Sequence, residues 1–355
     1  MSTNIQLAMN STPGLTRRAY VAECLLAGPL PIGGLVDIVI EYDRAIGGKC
    51  AGMLRWGQDS VYALAVLSDG TLASGSFDGH IRIWANQHGT RIMGDSTDIM
   101  RSLTALPMGK ILSGSRRGIG IWDNGVLVQS IGDGTSGYAE LAYIPPRPGE
   151  SPGKLLGVIA SGAWDNTVRI WDTNGICLCS LAGHPGLVRA LVALPDGILA
   201  AASKNTIHIW YIYVDQSNKF TGVCLRVLVG HVSRVYALAA IQPQPGKSPT
   251  LLASGGQDNT IRIWNTATGV CLRELIGHTN EVTVLASFPN GILASGSRDR
   301  TIRIWYLGIH GSNEVEAAEC LAVIEGHTDV VSSLAVLPNG LLASGSWDKT
   351  IRIWE

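Results

Sequence analysis

One short string governs what this chain can become. The stretch A-S-G-S-R-D-R-T-I-R-I-W at residues 294–305 recurs with variations seven times, closing at Trp84, Trp122, Trp171, Trp210, Trp264, Trp305 and Trp354. The six intervals from Trp84 to Trp354 average 45 residues. A period of that length describes stacked copies of one small unit, although 355 residues would also hold two unrelated domains.

Each unit reads as four strands. In the sixth, residues 282–288 form a β-rich run, Pro289-Asn290-Gly291 turns the chain, and residues 292–297 run back. Residues 298–300 turn it again, 301–305 make a third strand and 320–324 a fourth. Along the third strand Ile302 and Ile304 alternate with Arg303 and Trp305, so the two Ile share one face and Trp takes the other. Apolar groups on both faces suit a blade sandwiched between neighbours. The expected fold is all-β: a seven-bladed β-propeller of four-stranded antiparallel blades.

On these motifs residues 49–355 resemble the WD-repeat β-propeller family. The literal Trp-Asp ending occurs only at Trp122-Asp123 and Trp171-Asp172, a departure common in the family. The last third strand ends at Trp354 and is followed only by Glu355, so its blade needs an outer strand from elsewhere. Cys50 precedes Val61 by the same eleven positions as Cys271 precedes Val282, which makes residues 49–54 the expected closing strand. Residues 1–14 read as a disordered tail and 15–46 as a short helical extension.

Composition excludes more than it proposes. With 46% hydrophobic and 15% charged residues, most of the chain is expected to fold. A net charge of -1 argues against nucleic acid or anionic membrane as a general partner. No run reaches the roughly 18 apolar residues of a membrane span. The start lacks a secretory pattern, although residues 1–22 contain no acid and include Arg17 and Arg18, as a transit peptide would. Asn10-Ser11-Thr12 matches a glycosylation acceptor in three residues only. No Gly-x-x-x-x-Gly-Lys-Ser/Thr loop supports a nucleotide, and no cofactor is expected.

Two patterns look like chemistry. His231/Ser254/Asp258, His278/Ser295/Asp299 and His327/Ser344/Asp348 could each suggest a hydrolase triad, but an enzyme needs one such set and here it recurs three times. The family resemblance implies a structural network in which these groups hydrogen-bond with Trp264, Trp305 and Trp354 inside each blade. Blades one to four depart from it, with Gly57, Ser96 and Gly134 at the His position of the first three and the Asp of blade four deleted next to Lys204; they are expected to be looser or otherwise compensated. Cys50, Cys177, Cys224, Cys271 and Cys320 occupy one repeated outer-strand position, too far apart to bridge. Without a Cys-x-x-Cys pair no metal site is expected, and the thiols read as reduced and buried in a cytoplasmic or nuclear protein.

Function is expected on the face formed by the turns between second and third strands. The variable residue there is, in ring order, Phe77, Arg116, Trp164, Lys204, Gln257, Arg298 and Trp347. Aromatics and cations at positions the scaffold does not fix match the composition of protein interfaces. The plainer alternatives are that the turn residues are merely solvated, or that each Trp packs over its own blade. Arg117, Arg300 and Lys349 add positive charge, and Asp98, Glu140, Glu281 and Asp329 on the adjacent links offset it. On the opposite face, insertions at 145–154, 211–221, 242–249 and 306–318 read as slack loops. The chain is therefore read as a non-catalytic scaffold or adaptor for a peptide or protein segment, of undetermined oligomeric state. Two alternatives stand beside it: a substrate-recognition subunit of a ubiquitin ligase, because Leu30-Pro31 and the following helix resemble the opening of an F-box, and an enzyme with a central-channel site, which would require a unique polar constellation.

Overall fold

A computed structural model describes residues 48–55, 59–85, 88–93, 98–132, 138–147, 157–241, 251–310 and 314–355. The expected tail and helical extension, Gly57, Ser96, Gly134 and most of the insertions at 145–154 and 242–249 lie outside them. The described residues form seven four-stranded antiparallel sheets, the blades of a propeller. From blade one to blade seven the inner strands are Val61–Val66, Ser102–Ala105, Tyr138–Ile144, Val188–Leu194, Val235–Ile241, Val282–Ser287 and Val331–Val336.

Alternation decides how blades stack. Ile261 and Ile263 of blade five share one apolar layer with Trp305 and Leu293 of blade six. The Ile face of each blade thus meets the Trp face of the next, and Ile351 of blade seven shares such a layer with Trp84 and Leu72 of blade one. The Ser-Gly-Ser string now has a steric reason. A Cβ on Gly255, Gly296 or Gly345 would come within 2.5–2.6 Å of the first valine of the following blade, Val282, Val331 or Val61. Glycine there lets the inner strand of the next blade approach the second strand of this one.

The last sheet is assembled from both ends of the ring: strand Cys50–Leu54 pairs with Ile351–Trp354, setting Leu54 opposite Ile351 and Cys50 opposite Trp354. The Glu355 amide donates to the Lys49 carbonyl at 3.1 Å. Ser332 Oγ adds a bond to the Val61 carbonyl across the same junction.

Two expectations need correction. The insertions at 211–221 and 306–318 are largely ordered hairpin rather than loop. They extend strand Thr206–Val214 against Phe220–Val229, and Ile302–His310 against Glu314–Ile324. The repeated cysteines are not buried: Cys50, Cys177 and Cys320 are exposed and Cys224 and Cys271 half-exposed. Each faces its blade tryptophan across a β-bulge, as Cys271 does Trp264, and its thiol points back to the carbonyl two residues on. A bulge at the outer edge turns that side chain toward solvent.

Candidate functional site

Beneath the turn face lies a buried proton-sharing chain in blades five to seven. His278 Nε2 meets Ser295 Oγ at 2.7 Å, and Trp305 Nε1 donates to the same hydroxyl at 2.8 Å. His278 Nδ1 meets Asp299 at 2.7 Å. Asp299 also accepts from the amides of Thr279 and Thr301 and from the Thr301 hydroxyl, which clamps the blade link to the turn. His231 with Asp258, and His327 with Asp348, repeat this geometry. Burial alone would raise the Asp258 carboxyl; bonds from His231, Thr260 and Val232 outweigh it and hold the group down at about 2. With side-chain exposures of 1% for each of the three histidines, none can reach a substrate.

The other blades compensate in two ways. Where the His is missing, the third-strand arginine turns to the turn aspartate: Arg82 is buried against Asp78 and bonds Ser76 Oγ, and Arg169 reaches Asp165 at 2.5 Å. Blade four keeps His184 but has Ala201 at the serine position and His208 at the arginine position. Trp210 therefore donates directly to His184 Nε2 at 3.2 Å, with the His208 ring edge-on 4.8 Å away. Burial, with His208 beside it, pushes the His184 ring down to about 4, and the Asn166 backbone opposes this only in part.

These frames present the seven turn residues unequally. Trp164, Arg298 and Trp347 rim one opening of about 530 Å³ at the mouth of the central channel. Arg116 lies over the Trp164 ring at 5.1 Å and Arg298 over Trp347 at 5.8 Å. Phe77 stands beside them through Tyr62, whose ring is 6.2 Å from Phe77 and 5.8 Å from Trp347. Lys204 and Gln257 belong instead to a separate depression between blades four and five. Gln257 also anchors the rim: its Nε2 donates to Glu281 at 3.0 Å, and Glu281 pairs with Arg298 at 2.8 Å.

The opening's walls are residues that repeat alignment passed over. In most blades the inner strand carries a bulge at its second residue, which re-aims that side chain. Tyr62, Arg189, Tyr236, Thr283 and Ser332 occupy that place, and Arg101 occupies its equivalent in blade two; all six line the channel mouth. Glu140, expected on a link, instead lies within the inner strand of blade three, one residue deeper, where it borders both the mouth and the narrower throat. Loss of hydration pushes its carboxyl up to about 8, although Arg101 and Arg189 pull the other way. The signal was present in the sequence for the other six as one column of the repeat in which polar or tyrosine side chains interrupt the apolar run; Glu140 stands one position beyond that column.

Residues 48–85, 151–172, 175–211, 222–265, 269–306 and 318–355 match the profile of the family described as WD domain, G-beta repeat, together more than half of the chain. The chain belongs to the WD-repeat family. The matched WD stretches leave out blade two, the blade without a histidine, an aspartate or a third-strand arginine in its network. Trp122 still donates to Ser113 there at 2.8 Å, so the WD fold survives on its innermost bond. Among curated relatives, a ribosome biogenesis protein WDR12 homolog of Anopheles gambiae is 32% identical over 36% of this chain and 32% of its own length. The nuclear distribution protein PAC1 of Arthroderma otae is 29% identical over 55% of this chain and 47% of its own. The chain thus spans about a third to a half of the length of these relatives.

Proposed function

We propose that this WD-repeat protein is a non-catalytic interaction scaffold that binds a peptide or protein segment across the turn face, over the mouth of its channel. The observation that carries the reading is the rim: Trp164 and Trp347 keep apolar surface at the opening and Phe77 beside it, with Phe77 51% and Trp164 42% exposed, and each Trp carries an arginine on its ring. Aromatic and guanidinium groups lose little entropy on binding, because stacking and the Glu281 pair already restrain them. The rigid blades below hold them in place, as a binding surface on loops requires. The relatives' names, for ribosome biogenesis and nuclear distribution, agree with work done through protein partners, in the cytoplasm or the nucleus. Among the described residues no helix is long and apolar enough to cross a membrane.

The test is a triple substitution, Trp164, Arg298 and Trp347 each to Ala. In affinity purification from cell extract, the variant should lose the partners that the parent chain retains, while its melting curve stays close to the parent's. Retention of every partner by a folded variant would remove the turn face from the account.

A further inference from the structure

Five blades in succession contribute Tyr62, Arg101, Glu140, Arg189 and Tyr236 to the channel wall. The order is symmetric about the acid. Arg101 lies over the Tyr62 ring at 6.0 Å and Arg189 over the Tyr236 ring at 5.4 Å, so each guanidinium leans on the tyrosine away from Glu140. Neither guanidinium forms an ion pair or a side-chain hydrogen bond among the described residues, and Arg101 Nε is buried without a partner. On the rim, by contrast, the Arg298 charge is already met by Glu281. Two cations without a bonded counter-charge thus face the opening, and among the described residues the acid in its lining that no ion pair occupies is Glu140. An arginine in that state is under-used, since its planar fork is suited to a carboxylate.

We propose that the arc is a subsite for one acidic side chain of the bound segment, its carboxylate held between Arg101 and Arg189 above Glu140. The inference rests on the turn-face reading and names what that face selects: a segment carrying an Asp or Glu. A single carboxylate can meet both guanidiniums whether Glu140 is neutral or shares its proton with the ligand, whereas a phosphate dianion fits only while Glu140 stays fully protonated, and a ligand cation would meet two like charges. Glu140 gives the subsite a pH dependence. The groups facing it are Arg101 and Arg189, with Tyr62 and Tyr236 at the same level of the inner strands and Arg298 and Glu281 at the rim, and among the described residues no lysine or histidine lines the mouth. With its carboxyl pushed up to about 8, Glu140 is largely neutral at pH 7 and charged at pH 9. An anionic ligand therefore binds more tightly at pH 7 than at pH 9, and above about pH 8 its binding takes up a proton.

The experiment selects random phage-displayed dodecapeptides on the full-length chain and measures the affinities of labelled winners by anisotropy. Winners should share an Asp or Glu, and its change to Asn or Gln should weaken binding about tenfold. Arg101→Gln and Arg189→Gln should each cause a similar loss and abolish that discrimination; if one fails to fold, the other carries the test. Affinity for the parent chain should fall between pH 7 and pH 9, whereas Glu140→Gln should bind equally at both. Winners that need Trp164 and Trp347 but no acid, and ignore the arginine variants, would overturn the subsite and leave the turn face standing. A phosphoserine in place of the acid binding tenfold more tightly would reassign the subsite to phosphate and overturn it as stated. Absence of any winner that depends on the rim tryptophans would defeat both readings.

Discussion

Blades five to seven and blades one to four solve the same problem with different chemistry. All but blade four join the third-strand tryptophan to a buried serine, as Trp84 does Ser74 and Trp354 does Ser344. The later blades extend that bond through a histidine to an aspartate, so that link, second strand and turn are tied together in one buried chain. Blades one to three stop at the serine and leave the aspartate to an arginine, or lack it, and blade four joins its tryptophan directly to a histidine. A similar division, shifted by one blade, runs through the channel wall. Blades six and seven use Thr283 and Ser332 to bond the next blade, at Val331 and Val61, while blades one to five use the wall for aromatic and ionisable side chains. The more regular blades secure the ring, and the divergent ones carry most of the groups open to a ligand.

The largest expected contrast comes from the turn aspartates. Asp299→Ala in blade six strands a buried histidine, two amides and a threonine hydroxyl at once, and should cost about 3 kcal/mol in urea unfolding. Asp165→Ala in blade three removes the Arg169 pair and the bonds from the Thr167 amide and hydroxyl, but at side chains 19% and 35% exposed and with no buried histidine left behind, so it should cost about 1 kcal/mol because water can replace the lost partners. Equal costs would mean that the two solutions are energetically the same and that the division drawn above is only one of appearance.

The pH separates the halves next. His184 has its ordinary value near 6.5 lowered to about 4 on folding, so the unfolded chain binds more protons between those limits. Its contribution is fully present above the unfolded value and is lost as pH falls through the window toward 4. The penalty should be about 2 kcal/mol once the ring's partial contact with water is allowed for. For Asp258, held down at about 2, stability is instead present above the usual carboxylate range and lost between about 4 and about 2. Hydrogen exchange followed blade by blade should show blade four opening at pH 5 while blades five to seven stay closed. Simultaneous opening of all blades at pH 5 would contradict this.

The repeat made the fold legible because it is carried by residues that must be alike. Glycine is needed wherever the next inner strand comes close, Ile and Trp wherever two blade faces meet, and the tryptophan period counts the blades directly. The rim was legible for the complementary reason, since the scaffold leaves those turn positions free to vary. The channel wall was not legible in the same way. Its residues sit at or beside a bulge, where two residues face one on the partner strand and simple alternation no longer says which side chain points where. Glu140 is one place further along than Tyr236 relative to the second strand, opposite Gly162 where Ala237 stands opposite Gly255. Aligning repeats on what they share placed it on a link. The thiols were misplaced for a related reason, because an outer-strand bulge exposes a residue that hydrophobicity alone would bury.

Blade four offers the finest test of what separates the halves, since it has the histidine without the serine or the aspartate. Ala201→Ser would restore a hydroxyl at the place where Ser254, Ser295 and Ser344 stand, in a strand whose neighbouring backbone is already paired to His208 in the same register. The new oxygen can accept from Trp210 Nε1 and donate to His184 Nε2, replacing one direct bond of 3.2 Å by two of the length seen in blade five, 2.8 and 2.7 Å. A gain of about 1 kcal/mol is expected in urea unfolding, the usual net worth of one added buried hydrogen bond. His184 Nδ1 is still buried without a bond of normal geometry, so the histidine should keep its lowered affinity for protons and the mild-acid opening should persist. If Ala201→Ser instead destabilises the protein, the missing aspartate and not the missing serine is what sets blade four apart, because a hydroxyl added to a chain with no acceptor at its far end then adds desolvation without a compensating bond.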